Sequence, residues 1–185
     1  KREPYLQFSF RHNNNSINVS THLVGDYNLP NALAAAAVGT YFKIGDQKIQ
    51  HAIGSYLPSN SRSQLIERDS NKIILDAYNA NPSSMKAAIE NFSKMQEKDK
   101  ILILGGMAEL GNESIMEHQS IIELIGKYQW KEVVLVGGDF LKIKHPYLQF
   151  NNSKEAGEWF HRQKIQQSTI LVKGSRSMKM ENVLE

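Results

Sequence analysis

Residues 72–95, "KIILDAYNANPSSMKAAIENFSKM", decide the fold. The run "KIIL" is short, apolar and rich in β-branched side chains, whereas the stretch from Pro82 repeats apolar residues at Met85, Ala88, Ile89, Phe92 and Met95, the spacing of one helix face. Between them stand Asp76, Tyr78, Asn79 and Asn81. That sequence of patterns predicts a buried strand, a polar turn and an amphipathic helix. Asn81 ahead of Pro82 suits a helix cap, because its side-chain oxygen can accept an orphan backbone N–H and proline presets the first helical φ. One cap does not explain an Asp, a Tyr and a further Asn in the same turn, so a bound ligand is the better account of Asp76, Tyr78 and Asn79.

Three more runs continue the pattern: "ILILGG" (101–106), "EVVLVGG" (132–138) and "TILVKGS" (169–175). The segments between them read as helices, with Ile115, Ile121, Ile122 and Ile125 on one face of the second and "SKEAGEWFHRQ" as a third. Buried strands alternating with amphipathic helices predict an α/β fold, a mostly parallel sheet joined by right-handed crossovers with helices on both faces. In such a sheet ligands bind outside the carboxyl ends of the strands. Each run here ends in polar or glycine-rich sequence, "DAYNANP", "GGMAELG", "GGD" and "KGSRSMKME".

Upstream, residues 5–23 alternate apolar and polar around "RHNNNS", which predicts a hairpin. "NLPNALAAAA" follows as a helix, with Asn28 or Leu29 at its cap and Pro30 in its first turn. A short helix and the polar connection around "YLPSNSR" place a domain boundary near residue 60, giving domains 1–59 and 60–185. Composition narrows the function. Apolar residues make up 41% of the 185, enough for a core, and no apolar run approaches the roughly 18 residues of a membrane span. The net charge of +3 comes without a basic run, so nothing points to nucleic acid. Cysteine is absent, which excludes disulfides and thiolate chemistry and agrees with a cytoplasmic setting. The start "KREPYLQFSF" has no signal-peptide architecture, and both ends read as cut from something longer.

Each site has a plain reading beside its functional one. Asp76 should emerge at the sheet rim, where a carboxylate can accept from a ribose diol or orient a cation, or else serve a turn. "GGMAELG" allows close backbone approach and projects Glu109 at the same edge, but it is not G-x-G-x-x-G. His118 reads as a solvated or capping histidine, with catalysis as the alternative. In "VKGSRSMKME" a strand ending at Lys173 turns at Gly174 into a helix start carrying Ser175, Arg176 and Ser177. An ammonium, a guanidinium, a hydroxyl and backbone N–H groups together make an anion site. A solvated basic helix face would explain Lys179 but not that cluster.

In this order the motifs resemble those of the Mur ligases, ATP-dependent enzymes that build the peptide stem of bacterial peptidoglycan. "GDYNLPNALAAAA", "LDAYNANPSSM", "GGMAELG" and "VKGSRSMKME" are similar to the family's G-x-H-N-x-x-N-A-L-A-A-A, D-S-Y-N-A-N-P-x-S-M, G-D-M-x-E-L-G and V-K-G-S-R-x-x-x-M-E. "YNANP" and "KGSRS" point to the branch that adds D-alanyl-D-alanine. The resemblance implies a Rossmann-like carboxyl-terminal ligase domain preceded by the tail of a central ATPase domain. It implies ATP and Mg2+ as cofactors, with the metal ligands outside this chain, and UDP-N-acetylmuramoyl-tripeptide and D-alanyl-D-alanine as substrates of a monomeric enzyme. On that pattern Asn28 and Asn31 lie at the adenine, Arg62 and Asp76 reach the phosphates or ribose, and Asn79 and Asn81 line the cleft. Lys173, Ser175 and Arg176 hold the dipeptide carboxylate; no catalytic residue is assigned. Two positions depart from the pattern: Tyr27 replaces a His, and Gly106 replaces an Asp. No G-x-x-x-x-G-K-[ST] phosphate loop is present, so this chain alone is expected to be inactive. The competing readings are a free-standing nucleotide-binding domain of Rossmann or flavodoxin type, a non-catalytic interaction module, and folylpolyglutamate synthase, which shares the architecture.

Overall fold

A computed structural model describes residues 4–97 and 99–185, in two compact units divided between Ser59 and Asn60. The first three residues of the segment read as 1–59 lie outside the described residues. In the first unit β1 (Tyr5–His12) pairs antiparallel with β2 (Asn15–Val24). Asn13 and Asn14 between them have φ of 47° and 64°, the left-handed pair that a two-residue hairpin with properly twisted strands requires. Two helices follow, α1 (Leu29–Tyr41) and α2 (Asp46–Ser55). Alternate hairpin residues Ile17 and Val19 are buried, as are Ala32 and Ala36 of α1 and Ile49 of α2. Polar latches tie α2 to the hairpin: His12 Nδ1 lies 2.6 Å from Asp46 Oδ1, and the His22 ring bonds the Gly54 carbonyl at 3.0 Å.

The second unit is built on a six-stranded sheet of β3 (Gln64–Arg68), β4 (Asn71–Asp76), β5 (Lys100–Gly105), β6 (Glu132–Val136), β7 (Leu148–Phe150) and β8 (Thr169–Lys173). Its spatial order is β3-β4-β8-β5-β6-β7, with β3 antiparallel and every other pairing parallel. The mostly parallel sheet expected from the four apolar runs is present. The edge strands β3 and β7 were not anticipated. "QLIER" has two apolar residues and "LQF" spans one and a half pleats, too little pattern to separate from loop.

Helices α3 (Pro82–Lys94), α4 (Ser114–Ile125) and α5 (Ser153–Gln163) cover the sheet. One core cluster joins Ile73, Ile101, Ile103, Val134, Ile170 and Val172 to Ala156 and Phe160 of α5 and to Met180 and Val183 of the carboxyl-terminal segment. The alternate strand residues Ile74, Leu102, Leu104, Leu135 and Leu171 are also buried, and the pleat turns them to the opposite face, where α3 and α4 bury Met85, Ile89, Phe92, Ile121 and Ile125. The chain therefore leaves β4 and β5 toward one face and leaves β8, which lies between them, toward the other. That reversal opens a crevice at the carboxyl end of β8.

The helix expected after Gly174 is instead two short 3-10 turns, Arg176–Met178 and Met180–Leu184. Lys179 between them is left-handed, with φ 47°, which stops a helix from propagating. The helix start expected to contribute backbone N–H groups to an anion site is accordingly absent, and the positive charge of this loop comes from side chains.

Candidate functional site at the carboxyl ends of the strands

Parallel pairing sets Asp76 and Lys173 side by side at the last rung of β4 and β8. Lys173 is buried, and its Nζ lies 2.6 Å from Asp76 Oδ2 and 3.3 Å from the Asn79 carbonyl. The other carboxylate oxygen of Asp76 accepts from the Ser63 backbone N–H at 3.1 Å and faces the Ser63 hydroxyl at 3.4 Å. Asp76, Asn79 and Lys173 thus form one cluster around a largely buried ion pair. Above it the Arg62 guanidinium stacks on the Tyr78 ring, 3.7 Å from its centroid, which presents an exposed cation at the rim.

Ser175 is buried and fully engaged. Its Oγ accepts from the Ala108 N–H at 2.7 Å and donates to the Ala80 carbonyl at 3.3 Å, while its own N–H bonds the Gly106 carbonyl at 3.2 Å. One hydroxyl therefore ties together the turns after β4, β5 and β8. Arg176 is different: its side chain is 64% exposed and pairs with Glu181 at 2.9 Å. Glu181 Oε2 is buried without a partner, an acceptor beside that guanidinium. Of the residues read as an anion site, Lys173 and Ser175 look inward and Arg176 outward.

Asn81 caps α3 in a capping box, accepting from the Ser84 N–H at 2.8 Å while the Ser84 hydroxyl receives the Asn81 N–H at 3.1 Å. Asn79 Oδ1 accepts the neighbouring Ala80 N–H at 2.9 Å. In the first unit Asn28 is the N-cap residue of α1, as expected, but its side chain makes no capping bond. Its amide donates to the Val24 carbonyl at 2.9 Å, and the Asn31 amide reaches its oxygen at 3.4 Å. Asn28 and Asn31 thus stand together.

His118 is fully buried on α4 rather than solvated. Its Nε2 accepts the Met107 N–H at 2.9 Å, its Nδ1 lies 2.7 Å from the Ser114 carbonyl, and its ring meets Phe140 edge-on. Neither the solvated nor the capping expectation holds: His118 lies inside α4, caps neither of its ends, and instead fastens the Met107 amide of the turn after β5. A Cβ at Gly106 would lie 2.7 Å from the Gly138 Cα, so the position where the family pattern carries Asp has no room here for any side chain. Asp139, next to it, is held below the usual carboxylate range by hydrogen bonds from Lys142 and then from Ser114. Among the described residues no group of three or more His, Asp or Glu side chains stands together as metal ligands. The sequence reading missed Ser63 and Glu181; Glu181 is visible only as the final residue of the last motif, and Ser63 left no signal.

Residues 61–176 match the family described as Mur ligase, glutamate ligase domain. The chain belongs to the Mur ligase family. It is 38% identical over 175 residues to the UDP-N-acetylmuramoyl-tripeptide--D-alanyl-D-alanine ligase of Buchnera aphidicola subsp. Acyrthosiphon pisum, covering 91% of this chain and 38% of that protein. The ligase of the same name from Bacillus subtilis is 32% identical over 174 residues, with 88% and 38% covered. This Mur ligase chain therefore spans well under half the length of these curated relatives. Among solved structures, MurF from Acinetobacter baumannii superposes with a TM-score of 0.82 at 25% identity, over 98% of this chain and 41% of that one. MurF ligase from Thermotoga maritima in complex with ADP gives 0.83 at 20% identity, over 100% and 43%, which shows the shared fold.

Proposed function

We propose that this chain is the carboxyl-terminal part of an ATP-dependent ligase that joins D-alanyl-D-alanine to UDP-N-acetylmuramoyl-tripeptide in peptidoglycan synthesis, a cytoplasmic and monomeric enzyme. Residues 1–59 would be the tail of its central ATP-binding domain and residues 60–185 its ligase domain. ATP supplies the driving force: its γ-phosphoryl group passes to the tripeptide carboxylate with ADP leaving, and the dipeptide amine then attacks the acyl carbon, losing a proton and expelling phosphate. The observation that carries this reading is the polar cluster of Asp76, Asn79 and Lys173, with Arg62 and Tyr78 at the same sheet rim, in a chain 38% and 32% identical to ligases of that name.

The residues divide the work. Arg62, exposed and backed by Tyr78, is chemically suited to a polyphosphate, and Asp76, held by Lys173 and Ser63, to a ribose or phosphate-bound cation. Asn28 and Asn31 take the adenine. Arg176 offers the planar fork that orients a carboxylate, so it is the direct contact for the dipeptide, with Lys173 and Ser175 shaping the loop beneath it and Asn79 and Asn81 bordering it. Mg2+ would be held by ligands elsewhere in the longer protein.

Steady-state kinetics of the full-length protein test this. It should consume ATP only with both substrates, and Arg176→Lys should raise the dipeptide KM about tenfold or more while leaving the ATP KM unaltered. An ATP KM that rises with an unmoved dipeptide KM would make the loop a phosphate site.

A further inference from the structure

Three consecutive amides of the turn after β5 are each bonded to a different element. Gly106 N–H donates to the Val136 carbonyl at 2.9 Å, Met107 N–H to His118 at 2.9 Å, and Ala108 N–H to the Ser175 hydroxyl at 2.7 Å. The next residue, Glu109, is exposed in the left-handed region with φ 64°, a conformation that an L side chain holds only when its surroundings impose it. The Gly106 carbonyl also receives the Ser175 N–H at 3.2 Å. Two bonds thus join this turn to Ser175, the residue directly before Arg176.

His118 is the middle fastening. A backbone carbonyl can only accept and a backbone N–H can only donate, so the pair Ser114 O and Met107 N–H is satisfied by one form of the ring alone: neutral, protonated on Nδ1, bare on Nε2. A phenyl ring could fill much the same volume but would leave the Met107 amide buried without an acceptor. We propose that His118 is a positioning residue of the ligand edge: as the Nδ1-protonated neutral imidazole it fixes the Met107 amide, and through the turn it sets Ser175 and the Arg176 loop. The identity of the ligand that Arg176 meets rests on the function proposed above; the fastening does not.

Nitrogen NMR of this chain should show His118 at neutral pH protonated on Nδ1 and unprotonated on Nε2. The opposite tautomer, or an imidazolium, overturns the proposal. Two variants separate the bonds. His118→Asn keeps a donor for the Ser114 carbonyl but has nothing at the Nε2 position, and His118→Gln carries an acceptor there. Hydrogen exchange of the Met107 and Ala108 amides should quicken about tenfold in His118→Asn and return to the wild-type rate in His118→Gln, with Ile103 and Val134 unchanged in both. Equal quickening of all four amides would mean a packing role only, and equal rates at Met107 in the two variants would mean no fastening; either overturns the assignment. In the full-length enzyme His118→Asn should raise the dipeptide KM about tenfold with the ATP KM unaltered, and His118→Gln should restore it. An unmoved dipeptide KM overturns the positioning role. A wild-type enzyme that ligates no dipeptide removes the proposed function instead, and the exchange result stands by itself.

Discussion

Lys173 and Asp76 are 97 residues apart in sequence and 2.6 Å apart in space. The Lys173 side chain is 3% exposed and that of Asp76 14%, so water screens neither charge well. Removing one partner of such a pair strands the other, at a cost of about 3–5 kcal/mol. Lys173→Met should therefore lower unfolding stability by about that amount in urea titrations, while adding Asp76→Leu to it should recover much of the loss. Losses that simply add would show that the charges do not depend on each other. That both residues belong to the rim was legible, because a polar residue ending an apolar strand must leave the sheet at its edge. Their pairing was not: it depends on β8 inserting between β4 and β5 and on a register that sets Asp76 opposite Lys173. The division of labour between inward Lys173 and Ser175 and outward Arg176 follows from the same register, and so was equally hidden.

At the scale of elements, local chemistry predicted what local chemistry controls. Asn81 and Pro82 marked the start of α3, and the structure adds the reciprocal Ser84 bond. Asn28 was placed correctly, since it is the N-cap residue of α1, but its side chain makes no capping bond because its amide is drawn to the Val24 carbonyl, a partner fixed by how the hairpin ends. The segment after Gly174 read as helix because its propensities are helical, and Lys179 stops it. The short 3-10 turn at Gly138–Lys142 after β6 is joined to α4 by Asp139, whose carboxylate lies 2.7 Å from Lys142 Nζ and is also bonded by Ser114 in the first turn of α4. These contacts favour the ionised form, so the folded-state pKa lies below the unfolded one. The contribution to stability is fully present above the unfolded value and fades as pH falls through the folded one. Asp139→Asn should therefore melt lower than wild type at neutral pH, and the two should converge in acid below the ordinary carboxylate range. A gap in melting temperature that persists unchanged into that acid range would mean that Asp139 acts by shape rather than by charge.

For the molecule as a whole, the two units differ in how far each satisfies itself. The second has two apolar layers on a six-stranded sheet, with Leu102, Ile103, Leu104, Val134 and Leu135 at 0% exposure. The first has a two-stranded hairpin and two helices, and it leaves Val38, Tyr41, Phe42 and Leu57 between 57% and 80% exposed. A lone hairpin is marginal in water, and a unit of about 60 residues buries too small a fraction of its surface to stand comfortably by itself. Cutting the chain between Ser59 and Asn60 should then leave residues 60–185 folded and cooperative, with the Ile103 and Val134 amides as protected as in the whole chain. Residues 1–59 alone should show no cooperative transition. The urea dependence provides the second measure, since its slope scales with the surface exposed on unfolding: the slope for 60–185 should match that of the main transition of the whole chain. A steeper slope in the whole chain, with a single transition shared by both parts, would mean that the hairpin and its helices unfold as one body with the sheet, and that the division at Ser59 is not an energetic one.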